Sequence, residues 1–163
     1  MPDSGMRVKR WPLADWRRTV LGLLRRGWQP IAVSQVEEQR AVLAEAGATV
    51  APDLALRALA ALCAAVAERD GRAIGGDTGP VRLASASGLA VVGLFGPTLG
   101  ERYGYRGSGA VNLQGHPGCD VRRPTAITEQ ECWWSARCPL TEDHAPRCMA
   151  GIGVDSVLAA VGS

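Results

Sequence analysis

Helix-like and strand-like patterns alternate along the first 96 residues, and this alternation limits the chain to one class of fold. The predicted helices cover 12–27, 36–47, 54–71 and 79–87, and the predicted strands cover 28–34, 72–76 and 90–96. The last of these strands is apolar on both faces, which is typical of a strand covered by helices on both sides. The pattern therefore predicts a doubly wound, parallel α/β sheet.

The regular pattern stops after residue 97. Residues 98–150 are rich in Gly, Pro, Arg and Cys and contain one predicted strand, at 110–114, and a helix is predicted at 154–162. We expect one domain, 1–163, with an α/β core (1–97), a Cys/Gly-rich loop region (98–150) and a C-terminal helix (151–163). A Rossmann-like unit normally opens with a strand, and no strand pattern precedes Pro12, so we expect the core to lack its usual first strand.

Composition narrows the classes of function. The net charge of +2 is too small to indicate a nucleic-acid partner. No apolar run approaches the roughly 20 residues of a membrane span, and the N-terminus has no apolar signal region. We therefore expect a cytoplasmic protein without a transmembrane segment. Lys9 is the single lysine among 18 basic residues, and the other 17 are arginines. A lysine in so arginine-rich a sequence is a candidate functional residue.

Polar residues stand at the junction between the strand 72–76 and the next helix. Asp77, Thr78 and Gly79 follow the strand, and Arg82 lies one turn into the helix. Ligands of parallel α/β sheets bind at such carboxyl ends, and a helix N-terminus favours phosphate. An arginine fork also suits phosphate. The alternative is an ordinary helix start, with Asp77 or Thr78 as N-cap and a solvated Arg82. Neither G-x-x-x-x-G-K-[ST] nor G-x-G-x-x-G after a strand occurs, and there is no D-x-D triplet.

The segment GGDTGPVRLASASGLAVVGLFGPT (75–98) resembles the signature of the family 9 glycosyltransferases, the ADP-heptose:lipopolysaccharide heptosyltransferases. Three further segments resemble the same family in the same order: KRWP (9–12), VEEQRAVLAEAG (36–47) and RCMAGIGVDSVLAAV (147–161). The match covers essentially the whole chain. It implies the C-terminal, nucleotide-sugar-binding half of a two-domain GT-B glycosyltransferase, acting in the synthesis of lipopolysaccharide or another cell-surface glycan.

The resemblance also implies roles for individual residues. The expected donor-binding residues are Lys9, Glu37, Asp77, Thr78, Gly79 and Arg82. Of these, Lys9 would stabilise the departing ADP and Asp77 would face the sugar, so both are also candidate catalytic residues. Glu37 would bind the ribose, with Glu38 as a neighbour able to share that role. The donor would be an ADP-sugar such as ADP-heptose, and no metal or other cofactor is expected. Simpler interpretations are a surface lysine for Lys9 and a helix N-terminal acid for Glu37.

The sequence departs from the family in three ways. Arg82 replaces the signature histidine, which keeps a positive charge but excludes proton transfer near neutral pH. Ser34, Gln35 and Val36 stand where the family often has Gly-Gly-Pro. The acceptor domain, with its catalytic acidic residue, has no counterpart. We therefore expect a donor-binding half that works with a separate acceptor-domain chain or as a homodimer, in the cytoplasm or at the inner face of the membrane. The alternative is a non-catalytic relic or interaction module.

The five cysteines divide into one core residue and one cluster. Cys63 lies in an apolar helical pattern and is expected in the core. Cys119, Cys132, Cys138 and Cys148 fall in the C-terminal third near His116 and His144, which we interpret as loop residues. A metal-binding module is the weaker alternative, because zinc sites usually contain C-x2–4-C pairs. The resemblance favours packing or a local disulfide. Trp133 and Trp134 are expected to contact the missing domain or to fill a local core.

Overall fold

The computed structural model describes residues 1–141 and 145–162. His144 lies outside these residues. The elements in chain order are a 3-10 turn Arg7–Lys9, α1 Leu13–Arg25, β1 Ile31–Ala32, α2 Glu37–Glu45, β2 Thr49–Val50, α3 Leu56–Ala67, β3 Arg72–Gly76, α4 Gly79–Ala86, β4 Ala90–Phe95, α5 Gly100–Tyr103, β5 Val111–Gln114, a 3-10 turn Ile127–Glu129, α6 Glu131–Ser135, α7 Arg147–Ala150 and α8 Val154–Val161.

The strands form two parallel sheets. In the first, β1 pairs with β2, with Ile31 opposite Thr49. In the second, β4 lies between β3 and β5, with Ile74 opposite Val92 and Leu94 opposite Leu113. The predicted parallel α/β class is therefore confirmed, but the sheet is divided in two. No strand of the described residues lies between β1 and β3.

The predicted elements that differ from the structure are short or irregular. The strand predicted at 28–34 is wrong in length, because only Ile31–Ala32 pairs with a neighbour. The strand Thr49–Val50 and the short helices α5, α6 and α7 were not predicted. These four elements span only two to five residues each, and no periodic pattern marks them in the sequence. The strand at 72–76 was predicted with its observed bounds.

The buried apolar residues include two core clusters. One joins α1 and α8 to β4 and contains Trp11, whose indole N–H donates to the carbonyl of Ile152 at 3.0 Å. Trp11 also meets Trp16 edge to face, with ring centroids 5.1 Å apart. Trp11 therefore packs at the start of α1. The other cluster joins α3 and α4 to β3 and β4 and includes Cys63, which confirms the predicted core position.

Among residues 1–141 and 145–162, every helix is too short or too polar to cross a bilayer.

The end of β5 touches α7 through a glycine. The N–H of Gly115 donates to the carbonyl of Phe95 at 2.8 Å. A Cβ atom on Gly115 would lie 1.7 Å from the carbonyl oxygen of Cys148, a rigid backbone atom. Gly118, three residues later in the same turn region, has no atom within 4 Å of the corresponding position. The α7 segment can therefore pack against β5 only because residue 115 has no side chain.

We expect Gly115→Ala to destabilise the protein by about 1–3 kcal/mol, because the added methyl group forces α7 away from the sheet. The free energy of unfolding from urea titration measures this effect. Gly118→Ala is the matched control and should stay within about 0.5 kcal/mol of the wild type. Equal stability of the two variants would contradict the close packing of α7 on β5.

Candidate functional site

Asp77 lies at the carboxyl edge of the larger sheet, directly after β3 and before α4. Its side chain is 12% exposed, and its Oδ2 accepts a hydrogen bond from Nζ of Lys9 at 3.1 Å. Its Oδ1 accepts from the guanidinium of Arg82. Lys9 also donates to the backbone carbonyl of Asp77 at 3.2 Å. One carboxylate thus connects two cations that are far apart in the sequence.

Lys9 is largely buried, and two residues contact its ammonium group, Asp77 and Trp133. It ends the 3-10 turn Arg7–Lys9, and its side chain is only 13% exposed. Its Nζ lies 5.0 Å from the ring centroid of Trp133, at a distance suited to a cation–π interaction. The interpretation of Lys9 as a surface lysine is therefore wrong. Trp133 contributes to the site by covering Lys9, whereas Trp134 is exposed and donates its indole N–H to the carbonyl of Thr128.

Arg82 approaches Asp77 from the opposite side. Its guanidinium donates to the carbonyl of Tyr103 at 2.9 Å and lies 5.4 Å from the ring centroid of Tyr105. Because the side chain is half exposed, its other N–H groups can reach a ligand. The arginine is therefore positioned by defined contacts and does not project freely into solvent.

The first turn of α4 opens toward a pocket. Thr78 is the N-cap residue, but its hydroxyl makes no capping hydrogen bond. The Oγ1 atom is buried, and no described residue is hydrogen-bonded to it. No atom lies within 4 Å of the position that a Cβ of Gly79 would occupy. A ligand can therefore approach the backbone at Gly79, next to the unpartnered hydroxyl of Thr78.

The pocket in front of this turn has a volume of about 400 Å³, within the range of small-molecule sites. Its walls come from four segments: 1–6 with Lys9, 33–35, 52–59 and 77–80. Lys9, Asp77, Thr78 and Gly79 therefore lie together, as the resemblance implied. Arg82 joins the group through Asp77 without lining the pocket.

Glu37 is not brought to the pocket. It begins α2, its side chain is 90% exposed, and its Oε2 lies 3.7 Å from Nε of Arg40. Neither it nor Glu38, which is also exposed, lines the cavity. The position fits the simpler interpretation, an acid that complements the N-terminus of a helix.

The turn after β1 is instead tied to the N-terminal segment. The hydroxyl of Ser34 donates to Oδ1 of Asp3 at 2.6 Å, and the N–H of Gln35 donates to Oδ2 of the same residue at 2.7 Å. The hydroxyl also accepts from the N–H of Val36 at 3.0 Å. The segment that replaces the family's Gly-Gly-Pro is thus fixed by a carboxylate at the rim of the pocket.

Tyr105 belongs to the site but was not predicted. Its hydroxyl donates to the carbonyl of Gly76 at 2.6 Å, and Asn112 fixes its backbone through two hydrogen bonds of 2.9 Å. Burial raises the pKa of Tyr105 to about 12, although a hydrogen bond donated by the backbone of Thr78 and the charge of Arg82 both act in the opposite direction. The residue lies in the aperiodic region 98–150, where no sequence signal marks it.

The four clustered cysteines converge on a different location. Cys119, Cys132, Cys138 and Cys148 all line a cavity of about 20 Å³. All five cysteines are free thiols, so the local disulfide favoured by the resemblance is not formed. The described residues contain no group of three or more potential ligands arranged to hold a metal ion. Burial raises the pKa of the Cys132 thiol and raises that of Cys148 to about 12, which keeps both protonated near neutral pH.

Comparisons of the sequence and of the structure with known proteins point to the same family. The sequence model of glycosyltransferase family 9 (heptosyltransferase) matches residues 1–128. No curated protein matches the sequence. Among solved structures, a family 9 glycosyl transferase from Veillonella parvula DSM 2008 aligns with 99% of this chain at a TM-score of 0.75 and 18% identity.

Two solved structures of the Escherichia coli heptosyltransferase WaaC are also similar. The complex with ADP-2-deoxy-2-fluoro heptose aligns with 99% of this chain at a TM-score of 0.63 and 17% identity. The complex with ADP aligns with 84% of it at a TM-score of 0.61 and 21% identity. The chain spans 43% of the Veillonella chain, and 41% and 43% of the two WaaC chains.

The raised pKa of Tyr105 predicts a specific loss of stability in alkali. Because the folded-state pKa of about 12 exceeds the ordinary value of 10.0, the contribution of Tyr105 is complete below pH 10 and is lost as the pH rises toward 12. We expect the free energy of unfolding to fall less steeply between pH 10 and 12 in Tyr105→Phe than in the wild type. Urea titrations across this range test the slope. Tyr103→Phe is the control, and a wild-type slope in Tyr105→Phe would contradict the assignment.

Proposed function

The chain belongs to glycosyltransferase family 9, and from this membership and the pocket geometry we propose that it binds the ADP part of a nucleotide-sugar donor beside Asp77. One observation carries the proposal. Lys9 and Arg82 converge on one carboxylate next to an open helix N-terminus whose Thr78 hydroxyl lacks a partner among the described residues. This combination of donors suits a diphosphate.

The charges of the site favour an anion. Two cations, Lys9 and Arg82, share the single carboxylate of Asp77. The other two acids that line the pocket already have partners, since Asp3 accepts from the turn after β1 and Asp53 pairs with Arg40. The N-terminus of α4 adds a partial positive charge. A diphosphate in the pocket would accept from Lys9 and from the Thr78 hydroxyl and would lie against the backbone of Gly79. When the bond to the sugar breaks, negative charge grows on the departing ADP, and Lys9 would stabilise it.

The sugar would lie on the Asp77 side of the diphosphate, where a carboxylate can accept hydrogen bonds from hydroxyl groups. We propose ADP-heptose as the donor, because a similar solved structure is a heptosyltransferase bound to an ADP-heptose analogue. The reaction would then extend lipopolysaccharide or another cell-surface glycan in the cytoplasm, or at the inner face of the membrane. The proposed mode of donor binding includes no metal ion.

Transfer to an acceptor would need a second surface. The chain spans about two-fifths of the length of its structural neighbours, and a transferase gains much of its rate by holding two substrates against each other. We propose that an acceptor-binding surface outside residues 1–163, or a second copy of this chain, completes the cleft. The alternative is a non-catalytic module, in which the ion pairs of Lys9 and Arg82 with Asp77 would serve only to hold the fold together.

Substitutions of the charged pair test the donor site. We expect Lys9→Gln to weaken ADP binding about tenfold or more, because it removes a charge-assisted hydrogen bond to phosphate. Asp77→Asn should strengthen ADP binding, because it removes a negative charge beside the diphosphate, and should abolish the preference for ADP-heptose over ADP. Isothermal titration calorimetry with both ligands measures these affinities. Arg17→Gln changes an exposed charge on α1 and should bind like the wild type. Absence of heat with the wild type would favour the non-catalytic module.

Thr78→Val separates a binding role from a structural one. Because the Thr78 hydroxyl is buried and no described residue bonds to it, an isosteric apolar replacement should not lower the free energy of unfolding. The affinity for ADP should nevertheless fall several-fold, because a donor to phosphate is lost. Thermal unfolding and calorimetry on the same variant provide both quantities. A destabilised variant with wild-type ADP affinity would assign the hydroxyl to the fold instead of the pocket.

A further inference from the structure

The hydroxyl of Tyr105 bonds to the backbone on both sides of Asp77. It donates to the carbonyl of Gly76, the last residue of β3, at 2.6 Å. It also accepts from the backbone N–H of Thr78, the N-cap residue of α4. The first of these groups belongs to the peptide plane before Asp77 and the second to the plane after it. Because peptide groups are planar, the two hydrogen bonds together fix both backbone dihedral angles of Asp77 and hence the direction of its side chain.

The ring of Tyr105 also contacts one of the two cations that pair with Asp77. The guanidinium carbon of Arg82 lies 5.4 Å from the ring centroid, a distance suited to a cation–π interaction. From this position Arg82 donates to Oδ1 of Asp77. Tyr105 therefore acts on Asp77 in two ways, on its backbone through the hydroxyl and on its carboxylate through Arg82.

Tyr105 is itself held firmly by β4 and β5. The residue is 4% exposed, and its ring lies 5.8 Å from that of Phe95, measured between centroids. The side chain of Asn112 on β5 bonds to both the N–H and the carbonyl of Tyr105, each at 2.9 Å. A Cβ atom on Gly93 would lie 2.7 Å from Cδ2 of the ring, so the ring packs directly on the backbone of β4. The phenol therefore relays the position of these two strands to the turn after β3.

The position and the charge of the phenol restrict what it can do. Tyr105 does not line the pocket of about 400 Å³ in front of Thr78 and Gly79, so it does not contact a ligand bound there. Burial raises its pKa to about 12, so the hydroxyl keeps its proton near neutral pH and remains a donor to Gly76. Tyr105 can therefore influence a bound donor only through the residues that it holds.

We propose that Tyr105 is a positioning residue that sets the preference of the site for a nucleotide sugar over the free nucleoside diphosphate. This inference rests on the proposed function, in which Asp77 accepts hydrogen bonds from the sugar. Hydrogen bonds weaken steeply when donor and acceptor are misaligned, so a small rotation of the backbone at Asp77 costs the sugar contacts. The phosphates depend mainly on Lys9 and the first turn of α4, and their binding is affected less.

Tyr105→Phe removes the hydroxyl and keeps the ring beside Arg82. Calorimetric titrations should show that the ratio of the affinities for ADP-heptose and ADP falls about threefold or more, because the hydrogen bonds that orient Asp77 are lost. Thr19→Val is the matched control, since the buried Thr19 hydroxyl donates to the carbonyl of Asp15 within α1. It should also lower the melting temperature but leave the affinity ratio unchanged, because loss of stability alone does not alter the choice of ligand. A wild-type ratio in Tyr105→Phe would overturn the proposal.

A double mutant shows whether Tyr105 acts through Asp77. Asp77→Asn alone should abolish the preference for ADP-heptose, and the addition of Tyr105→Phe should then leave the affinity ratio unchanged. A further change of the ratio in the double mutant would overturn the proposed route. If Tyr105→Phe does not fold, Asn112→Ala takes its place, because it removes the two hydrogen bonds that hold the backbone of Tyr105. The same fall in the affinity ratio is expected, and a wild-type ratio in Asn112→Ala would overturn the proposal.

The wild-type titrations separate this inference from the proposed function. Absence of heat with ADP, or equal affinity for ADP and ADP-heptose, would overturn both the function assigned to Asp77 and the role of Tyr105. A preference for ADP-heptose that is lost in Asp77→Asn but kept in Tyr105→Phe would overturn the role of Tyr105 alone. A preference that falls in both variants, with Thr19→Val unchanged, is the result that the structure predicts.

Discussion

The carboxylate of Asp77 is the point at which otherwise separate parts of the molecule meet. Through Lys9 it connects the N-terminal segment to the end of β3, and through Arg82 it connects the first turns of α4. Arg82 in turn bonds the carbonyl of Tyr103, and Trp133 covers Lys9. The irregular C-terminal region is thereby attached to the α/β core at the edge where a ligand would bind.

Without a ligand, the positive charges of Lys9 and Arg82 are balanced in part by the carboxylate of Asp77. Lys9 and Arg82 are already paired, so an incoming diphosphate would exchange with Asp77 for their hydrogen bonds. The carboxylate that holds the cations in place would then become free to accept from a sugar. This exchange explains how one set of three side chains could serve both halves of an ADP-sugar. In this proposed exchange, the arginine at the position of the family's histidine would carry charge and donate hydrogen bonds.

Sequence reasoning worked best where the pattern was long or the chemistry was local. The strand 72–76, the helix at 79–86 and the cluster at Asp77, Thr78 and Gly79 all follow from adjacent residues. It worked less well for Glu37, which the family resemblance assigned to a ribose but which points into solvent beside Arg40. Tyr105 was not predicted, and Trp133 was expected at a domain contact or in a local core and not beside Lys9. Both lie in a region without periodicity, and only folding brings Trp133 to Lys9 and Tyr105 to Arg82.

The sequence alone determined the parallel α/β class, the family, and the placement of an acid, a hydroxyl and a glycine at the end of a strand, because those depend on periodicity and on residues that are neighbours in the chain. Tertiary structure decided the rest. It brought Lys9 within 3.1 Å of Asp77 across 68 positions of sequence. It divided the strands between two sheets, β1–β2 and β3–β4–β5. Both outcomes depend on long-range packing of the backbone, which local pattern does not encode.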